Sequence, residues 1–219
     1  MSDYSHGGGG CFRCCCNFIL TLGLTALFLW LSLRVTKPSC SIENFYLPPL
    51  NTTDNSTTTR NNHTLYFDLR LKNEMKDKGV GYGAINLTFF YGGAPNNNNN
   101  SLPIANYSVP SFYQGHGKKA RRKELVQTYG VPWEAAYRAV STGSTVTFRV
   151  RLVTRVRYKI LFWYTKRHTL KVGANLDVNN YGEKVNKKGI RLKSGSPEHF
   201  HRLAPLGLSI VLYFLVLLL

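Results

Sequence analysis

The stretch VTFRVRLVTRVRYKI, residues 146–160, decides the fold class of this chain of 219 residues. Apolar and polar residues alternate from Val146 to Leu152 and again from Val156 to Ile160, and Phe162 and Tyr164 continue the apolar parity. A period of two is typical of a strand with one buried face, and it excludes an amphipathic helix. We predict two strands here, joined as a hairpin that turns near residues 153–155.

Further segments predict a protein that is mostly β. Leu65–Leu71 and Ile85–Phe89 have the same period, and weaker strands are predicted at Ile104–Val109, Thr169–Leu176 and Gly189–Leu192. About seven short strands separated by turn-rich segments favour an antiparallel β-sandwich of the fibronectin-III or immunoglobulin type. Trp133–Val140 fits either a short helix or a further strand.

Two uncharged apolar segments, Phe18–Leu33 and Leu203–Leu219, bracket the chain. We predict that the first is part of a transmembrane helix over residues 17–36, with a short cytosolic segment at residues 1–16. A cleaved signal peptide is the weaker alternative, because residues 34–37 offer no small-x-small cleavage site.

A cysteine cluster precedes this apolar segment, at Cys11, Cys14, Cys15 and Cys16. Thiols at a membrane boundary are candidates for S-palmitoylation. A zinc site is the weaker alternative, because no second spaced pair of cysteines follows.

The small residues Ser194, Gly195 and Ser196 come before a polar spacer, residues 197–202, and the apolar tail. This is the order of a GPI signal, and we predict attachment at one of the three residues. The spacer is shorter than the usual 8–12 or so residues, so a second membrane helix over residues 194–219 is the alternative.

Every Asn-x-Ser/Thr acceptor lies between the two apolar segments, at Asn51, Asn55, Asn62, Asn86, Asn99 and Asn106. Such acceptors are glycosylated on the lumenal side of the secretory pathway, so the middle of the chain is expected outside the cell. We predict a glycosylated linker at residues 37–63 and the sandwich at residues 64–193.

The excess positive charge lies in the same extracellular part. Residues 41–193 hold 24 Lys and Arg against nine Asp and Glu. The charge is concentrated in Lys118, Lys119, Arg121, Arg122 and Lys123, and in Arg149, Arg151, Arg155, Arg157 and Lys159. If the strands of the second set paired, like charges would lie opposite one another, and an anionic partner would relieve the repulsion.

Anionic wall polysaccharide and lipid headgroups are the expected partners of these cations. Nucleic acid is excluded by the topology and by the lack of a recognition motif. For residues 118–123 alone, a solvated loop that keeps the domain soluble is the alternative.

No constellation in the sequence predicts catalysis, a metal site or a cofactor site. The histidines of the outer part are His63, His116, His168, His199 and His201, and none belongs to a catalytic or metal-binding signature. The chain is therefore predicted not to be an enzyme.

Some further residues allow a structural and a functional interpretation. Cys40, the one cysteine of the outer part, would either link two chains as a homodimer or be a buried thiol. The aromatic residues of Phe112–His116 would form a binding loop or, preferably, pack on the sandwich. Trp163 has the outward parity of Leu161, which predicts an exposed apolar patch.

Several motifs resemble those of the plant non-race-specific disease resistance proteins of the harpin-induced-like group. They are Phe28–Arg34, Lys37–Ile42, Val109–His116, Lys118–Ala120, Arg155–Ile160, Phe162–Trp163, Thr165–Arg167 and Lys187–Ile190. Relatives usually carry Asn-Pro-Asn where this chain has Asn73-Glu74-Met75, so the local turn is expected to differ.

The resemblance implies a late-embryogenesis-abundant type-two domain with a fibronectin-III-like sandwich. It also implies attachment to the plasma membrane and a role in the hypersensitive response to bacterial pathogens. The N-terminus would contact a cytosolic immune regulator, and the outer domain would support adhesion of membrane to cell wall. The alternative function is protection of membranes during desiccation.

Overall fold

The computed structural model describes residues 9–54, 56–92, 101–160 and 162–194, without the side chains of residues 9–14, 29 and 31–33. The predicted sites at Asn55, Asn99, Gly195 and Ser196 and the apolar tail lie outside the described residues. The described residues divide into two compact units, one that ends at Arg34 and one that begins at Val35.

In the first unit the structure describes one helix, α1 (Gly9–Leu33). The segment is rich in Leu and lacks Pro, so nothing interrupts the helical hydrogen bonds. Cys15 is exposed and Cys16 half-buried, and the side chains of Cys11 and Cys14 lie outside the description. Among the helices that the structure describes, none combines the length and the apolar character needed to cross a bilayer.

In its described residues the second unit consists mainly of antiparallel strands, with two short helices. In chain order its elements are β1 (Ser39–Asn51), α2 (Thr57–Arg60), β2 (Thr64–Lys72), β3 (Gly79–Tyr82), β4 (Ile85–Tyr91), β5 (Leu102–Val109), β6 (Phe112–Gln114), β7 (Lys119–Gln127), α3 (Trp133–Ser141), β8 (Val146–Ile160), β9 (Trp163–Tyr164), β10 (His168–Val178), β11 (Tyr181–Glu183) and β12 (Ile190–Arg191). The prediction of a mostly β protein with antiparallel sheets is confirmed.

Sheet 1 has the order β11-β1-β2-β7, and β12 also pairs with β1. The structure thus places β1, from the predicted linker 37–63, inside the sandwich. Ile42, Phe45 and Leu47 are buried, but an irregularity between Ile42 and Asn44 breaks their alternation. Pro48 and Pro49 follow beyond the end of the ladder with β2, where a missing N–H costs no bond to that strand.

Sheet 2 has the order β5-β4-β8-β3-β6, and β9 and β10 also pair with β8. The predicted hairpin is wrong, because residues 146–160 form one strand of 15 residues. Val153, Thr154 and Arg155 include no residue that favours a turn, and the buried positions keep the same parity on both sides of them. Thr154 is buried and donates a hydrogen bond from Oγ1 to the carbonyl of Gly83, at 3.2 Å.

The two sheets pack face to face through a cluster of buried phenylalanines. The ring of Phe45 lies 6.1 Å from that of Phe89 and 5.8 Å from that of Phe148, and Phe67 lies 5.0 Å from Phe89. Phe45 and Phe67 belong to sheet 1, Phe89 and Phe148 to sheet 2. Each ring removes a large apolar area from water, so this cluster holds the layers together.

The segment that fitted either a helix or a strand is the helix α3. Its buried residues are Ala136 and Val140, four positions apart and therefore on one helical face. The ring of Trp133 stacks on His63 at 5.4 Å.

Candidate functional site

The outward face of sheet 2 carries five cations in a line, which we call the basic row. Its members are Arg149, Arg151, Arg155, Arg157 and Lys159. All lie at odd positions of β8, whose even positions are buried from Val146 to Ile160. Side chains two positions apart on a strand lie roughly 6.6 Å apart, so neighbouring cations of the row are about that far from each other. The row has one gap, at Val153.

The expected pairing of like charges across a hairpin is wrong, because the row lies on a single strand. Small or uncharged residues lie opposite its members instead. Arg151 is aligned with Gly173 on β10 and with Thr88 on β4, and Arg157 is aligned with Gly81 on β3. The guanidinium groups therefore meet no cross-strand cation.

Aromatic rings hold two members of the row. The guanidinium carbon of Arg151 lies 5.1 Å from the ring centroid of Phe90, and that of Arg157 lies 4.3 Å from the centroid of Tyr164. Such contacts fix the stems of the side chains and leave the charged groups at the surface. Arg151 and Arg155 are exposed and the other three members are half-buried.

No carboxylate neutralises the basic row within the described ranges. None of its members forms an ion pair there. The nearby β10 adds Lys171, aligned with Val153, and Asp177, which accepts a hydrogen bond from Thr147 at 2.6 Å. A stripe of unpaired arginines can bind carboxylate or phosphate groups through two parallel hydrogen bonds each.

The second predicted cluster, Lys118–Lys123, lies elsewhere. Most of it belongs to β7, the edge strand of sheet 1, whose Lys119, Arg121 and Lys123 are exposed on the outward face of that sheet. The two sets thus lie on opposite faces of the sandwich and do not form one site. Arg122 faces the other way and lies over the ring of Phe112, at 5.6 Å.

Arg121 is committed to a partner inside the protein. Its Nη2 lies 2.8 Å from Oδ2 of Asp68 on β2, and the Asp68 side chain is 0% exposed. The other oxygen, Oδ1, is buried and has no hydrogen-bond partner among the described residues. Arg121 is therefore the least suited of the predicted cations to bind an external anion.

The predicted glycosylation sites that the structure describes are accessible. Asn62, Asn86 and Asn106 are exposed, and Asn51 is half-buried. Asn86 and Asn106 lie on adjacent strands of the outward face of sheet 2, where Asn86 is aligned with Val153 of the basic row's strand. Glycans there would border the middle of the row on one side.

The single cysteine of the sandwich is inaccessible. Cys40 is 2% exposed on the inner face of β1, and burial raises the pKa of its thiol to about 12, an effect that Arg191 partly offsets. This favours the buried thiol over a disulfide between two chains. Ser194, the described member of the predicted GPI sites, is exposed.

The segment Phe112–His116 packs on the sandwich for the most part. Phe112 stacks on Tyr82 at 4.9 Å, and the buried Gln114 donates to the carbonyls of Leu71 and Lys118. Tyr113, which is 53% exposed, and His116 lie on the surface. The packing interpretation thus accounts for Phe112 and Gln114 but not for Tyr113 and His116.

Sequence reasoning missed a buried lysine beside a cavity of about 410 Å³ on sheet 1. Lys184 donates from Nζ to the carbonyls of Asn186, at 2.5 Å, and Lys188, at 2.8 Å. Burial lowers its pKa, against the opposing effect of Glu43. In the sequence Lys184 looks like any other surface lysine, because the carbonyls that hold it depend on a loop conformation.

The part of the chain that the structure describes contains no cluster of three or more His, Cys, Asp or Glu residues that could hold a metal ion. The candidate site that the structure offers is the outward face of sheet 2, with its cations and aromatic rings.

The chain matches no protein-family model. It is similar to Protein NDR1 of Arabidopsis thaliana, with 43% identity over 217 residues, which cover 99% of this chain and 96% of the relative. Similarity of this extent includes both apolar ends and the whole sandwich, and it supports a role in plant disease resistance. The chain therefore belongs to the family of the non-race-specific disease resistance protein NDR1.

Proposed function

We propose that this protein is a plasma-membrane-anchored component of plant immune signalling that supports the hypersensitive response to bacterial pathogens. The observation that carries the proposal is the similarity to Protein NDR1 over nearly the whole chain. The protein acts by binding and not by catalysis. Its cytosolic N-terminus contacts an immune regulator, and its sandwich lies outside the cell.

The anchoring part of the proposal is supported by sequence. The uncharged run Phe18–Leu33 forms most of the membrane span, with Cys11, Cys14, Cys15 and Cys16 as sites for a second, acyl anchor. The tail beyond Ser194 directs GPI attachment. The exposure of Asn62, Asn86 and Asn106 agrees with a sandwich that faces the cell wall.

The outer partner that we propose for the basic row is an acidic polysaccharide of the wall. Arg149, Arg151 and Arg155 present unpaired guanidinium groups beside the glycan acceptors Asn86 and Asn106, on a face that carries few acidic groups. Repeated carboxylates along a chain would meet repeated cations along a strand. This contact joins the membrane-anchored protein to the wall.

Complementation of a plant that lacks the protein tests the function. The wild-type chain should restore pathogen-induced electrolyte leakage and limit bacterial growth, and a variant with Arg149, Arg151 and Arg155 changed to Gln should restore them less well. The matched control changes Lys119 and Lys123 to Gln on the opposite face. If loss of the protein alters leakage only under drought without a pathogen, the desiccation function replaces the immune one.

Binding to immobilised polygalacturonate tests the partner directly. Three exposed ion pairs contribute about 0.5 kcal/mol each, so the triple Gln variant should bind roughly tenfold more weakly at low salt. Added salt should narrow the difference, because it screens exposed charges. Equal binding by the triple variant and the Lys119/Lys123 control would contradict the proposed site.

A further inference from the structure

A hairpin formed by the end of β8 and by β9 carries exposed aromatic side chains. The function proposed for the basic row does not explain their exposure. Phe162 is 93% exposed, Trp163 60% and Tyr164 45%. We call these three residues the aromatic tip. The period-two pattern predicted Phe162 and Tyr164 to face the core, but the alternation of burial stops at Ile160, where β8 pairs with β9.

The aromatic tip lies at a defined end of the sandwich, which we call the basal end. There the β2–β3 loop, residues 73–78, meets the β6–β7 loop, residues 115–118, through hydrogen bonds from Asn73 N to Lys118 O (3.0 Å) and from Gly117 N to Met75 O (2.8 Å). Gly79, which follows the first loop, is aligned with Lys159 at the end of β8. The tip, the two loops and the end of β8 therefore form one surface.

The sandwich is joined to the rest of the chain at this same end. Ser39, the first residue of β1, donates a hydrogen bond to Glu74 of the β2–β3 loop. Strand β12 runs antiparallel to β1, so the chain also leaves sheet 1 toward the basal end. Residues 34–38 separate β1 from α1, and five residues extend to at most about 18 Å.

The hairpin at the basal end, residues 157–168, carries positive charge. It includes Arg157, Lys159, Lys166 and Arg167 and no Asp or Glu. The acidic residues of the neighbouring β2–β3 loop are both paired, Glu74 with Lys72 and Asp77 with Lys78. Lys166 and Arg167 are exposed. Aromatic residues flanked by cations are the composition of surfaces that insert at the headgroup level of an anionic bilayer.

The glycan acceptors lie away from this end. Asn51 ends β1 and Asn62 precedes β2, at the end of sheet 1 opposite to Ser39 and Lys72. Asn86 and Asn106 lie beside the middle of β8. No acceptor occurs in residues 73–79, 111–119 or 157–168, so glycans would leave the basal end free to approach a membrane.

We propose that the aromatic tip and its basic neighbours dock the sandwich on anionic lipid headgroups in the outer leaflet of the bilayer to which the chain is anchored. Phe162 and Trp163 insert between headgroups, while Lys166 and Arg167 bind the lipid phosphates. The proposal rests on the membrane anchoring given above, and it adds that the domain lies against the bilayer on its basal end. Adjacent exposed aromatic rings with polar residues around them are typical of a surface that contacts a partner or a membrane.

The test uses the full chain with protease sites inserted after Lys37 and after Ser194, reconstituted into vesicles of phosphatidylcholine alone or with phosphatidylserine added. Failure of the uncut chain to sediment with the vesicles would contradict the anchoring and not the docking. After cleavage at both sites, the released sandwich is measured in the pellet and the supernatant. We expect most of the cleaved sandwich to sediment with the anionic vesicles and most of it to appear in the supernatant of the neutral vesicles.

Two variants and a control assign the retention to the tip. Phe162→Ser with Trp163→Ser should release the cut domain from both kinds of vesicle. Lys166→Gln with Arg167→Gln should weaken binding to anionic vesicles alone, by about fivefold for each cation. The control, Leu125→Ser with Tyr181→Ser, removes exposed apolar side chains from β7 and β11. Its cut domain should stay on the anionic vesicles as the wild-type domain does.

Three results would overturn the proposal. One is release of the cut wild-type domain from both kinds of vesicle, and another is equal retention of the tip variant and the control. The third is transfer of the cut domain from vesicles to polygalacturonate beads in a manner that depends on Phe162 and Trp163, which would assign the tip to wall polysaccharide.

Discussion

Replacement of Arg121 by Gln should destabilise the sandwich, although Arg121 belongs to a cluster that the sequence offers as a binding surface. The carboxylate of Asp68 is fully buried, and the Arg121 guanidinium at 2.8 Å is its one ion-pair partner among the described residues. A neutral glutamine side chain in place of the guanidinium would leave a buried negative charge without a cation. The sandwich thus loses stability because the unpaired carboxylate of Asp68 stays buried.

The structure sets the size of this loss. Removal of one partner of a buried ion pair costs about 3–5 kcal/mol. Since the Arg121 side chain is itself 54% exposed, water can enter the space that it leaves, and we expect the smaller value of about 2–3 kcal/mol. With a urea m-value of about 2 kcal/mol/M, the midpoint of unfolding should fall by about 1–1.5 M.

Urea unfolding of the full chain in detergent, followed by tryptophan fluorescence, measures the effect. Lys123→Gln is the matched control, because Lys123 is aligned with Asp68 in the ladder but is exposed and forms no ion pair with it. It should change the free energy of unfolding by no more than about 0.5 kcal/mol. Asp68→Asn combined with Arg121→Gln should be more stable than Arg121→Gln alone, because the buried charge is gone.

Equal losses for Arg121→Gln and Lys123→Gln would refute this reasoning. They would mean that Asp68 is solvated in solution and that Arg121 is free to bind an external anion. The edge-strand cations would then have to be considered as a second binding surface beside the basic row.

Three further outcomes are expected. The Cys40 thiol should react with N-ethylmaleimide at pH 8 only when the domain unfolds, because a pKa of about 12 leaves about one thiol in 10,000 ionised; rapid labelling in the absence of urea would contradict its burial. Gly182→Ala should lower the melting temperature more than Gly117→Ala. Both residues have positive φ, but a Cβ at Gly182 would also collide with a carbonyl oxygen of β1. If the collision costs about 2 kcal/mol of stability beyond the strain that both variants share, the melting temperatures should differ by roughly 4–8 °C. Asn86→Gln and Asn106→Gln should each remove one glycosidase-sensitive shift in electrophoretic mobility, and an unchanged mobility would mean an unoccupied site.

The period-two patterns allowed much of sheet 2 to be predicted from the sequence. The alternation along β8 predicted which of its residues up to Ile160 face the core and that the arginines face solvent. It could not predict whether Val153–Arg155 turns or continues, because that depends on β10, which pairs with β8 without a break from Val146 to Val156. Strand partners distant in sequence contribute the hydrogen bonds that keep the strand straight.

Strand β1 shows a second limit. Its irregularity between Ile42 and Asn44 and its two prolines conceal the alternation on which a sequence prediction depends. Its burial becomes evident only when β2 and β11 are seen on either side of it. The segment therefore looks like a linker in the sequence and is a central strand in the structure.

The sequence by itself determined the class of fold, the accumulation of positive charge, the apolar ends and the relation to the NDR1 family. Those features are carried by local periodicity, by composition and by identity at aligned positions. The tertiary structure alone decided that the two basic sets lie on opposite faces, that Arg121 is bound to Asp68, and that the aromatic tip shares an end with the start of β1. These relations join residues that are tens of positions apart, so they depend on how the strands pair and pack and not on any local pattern.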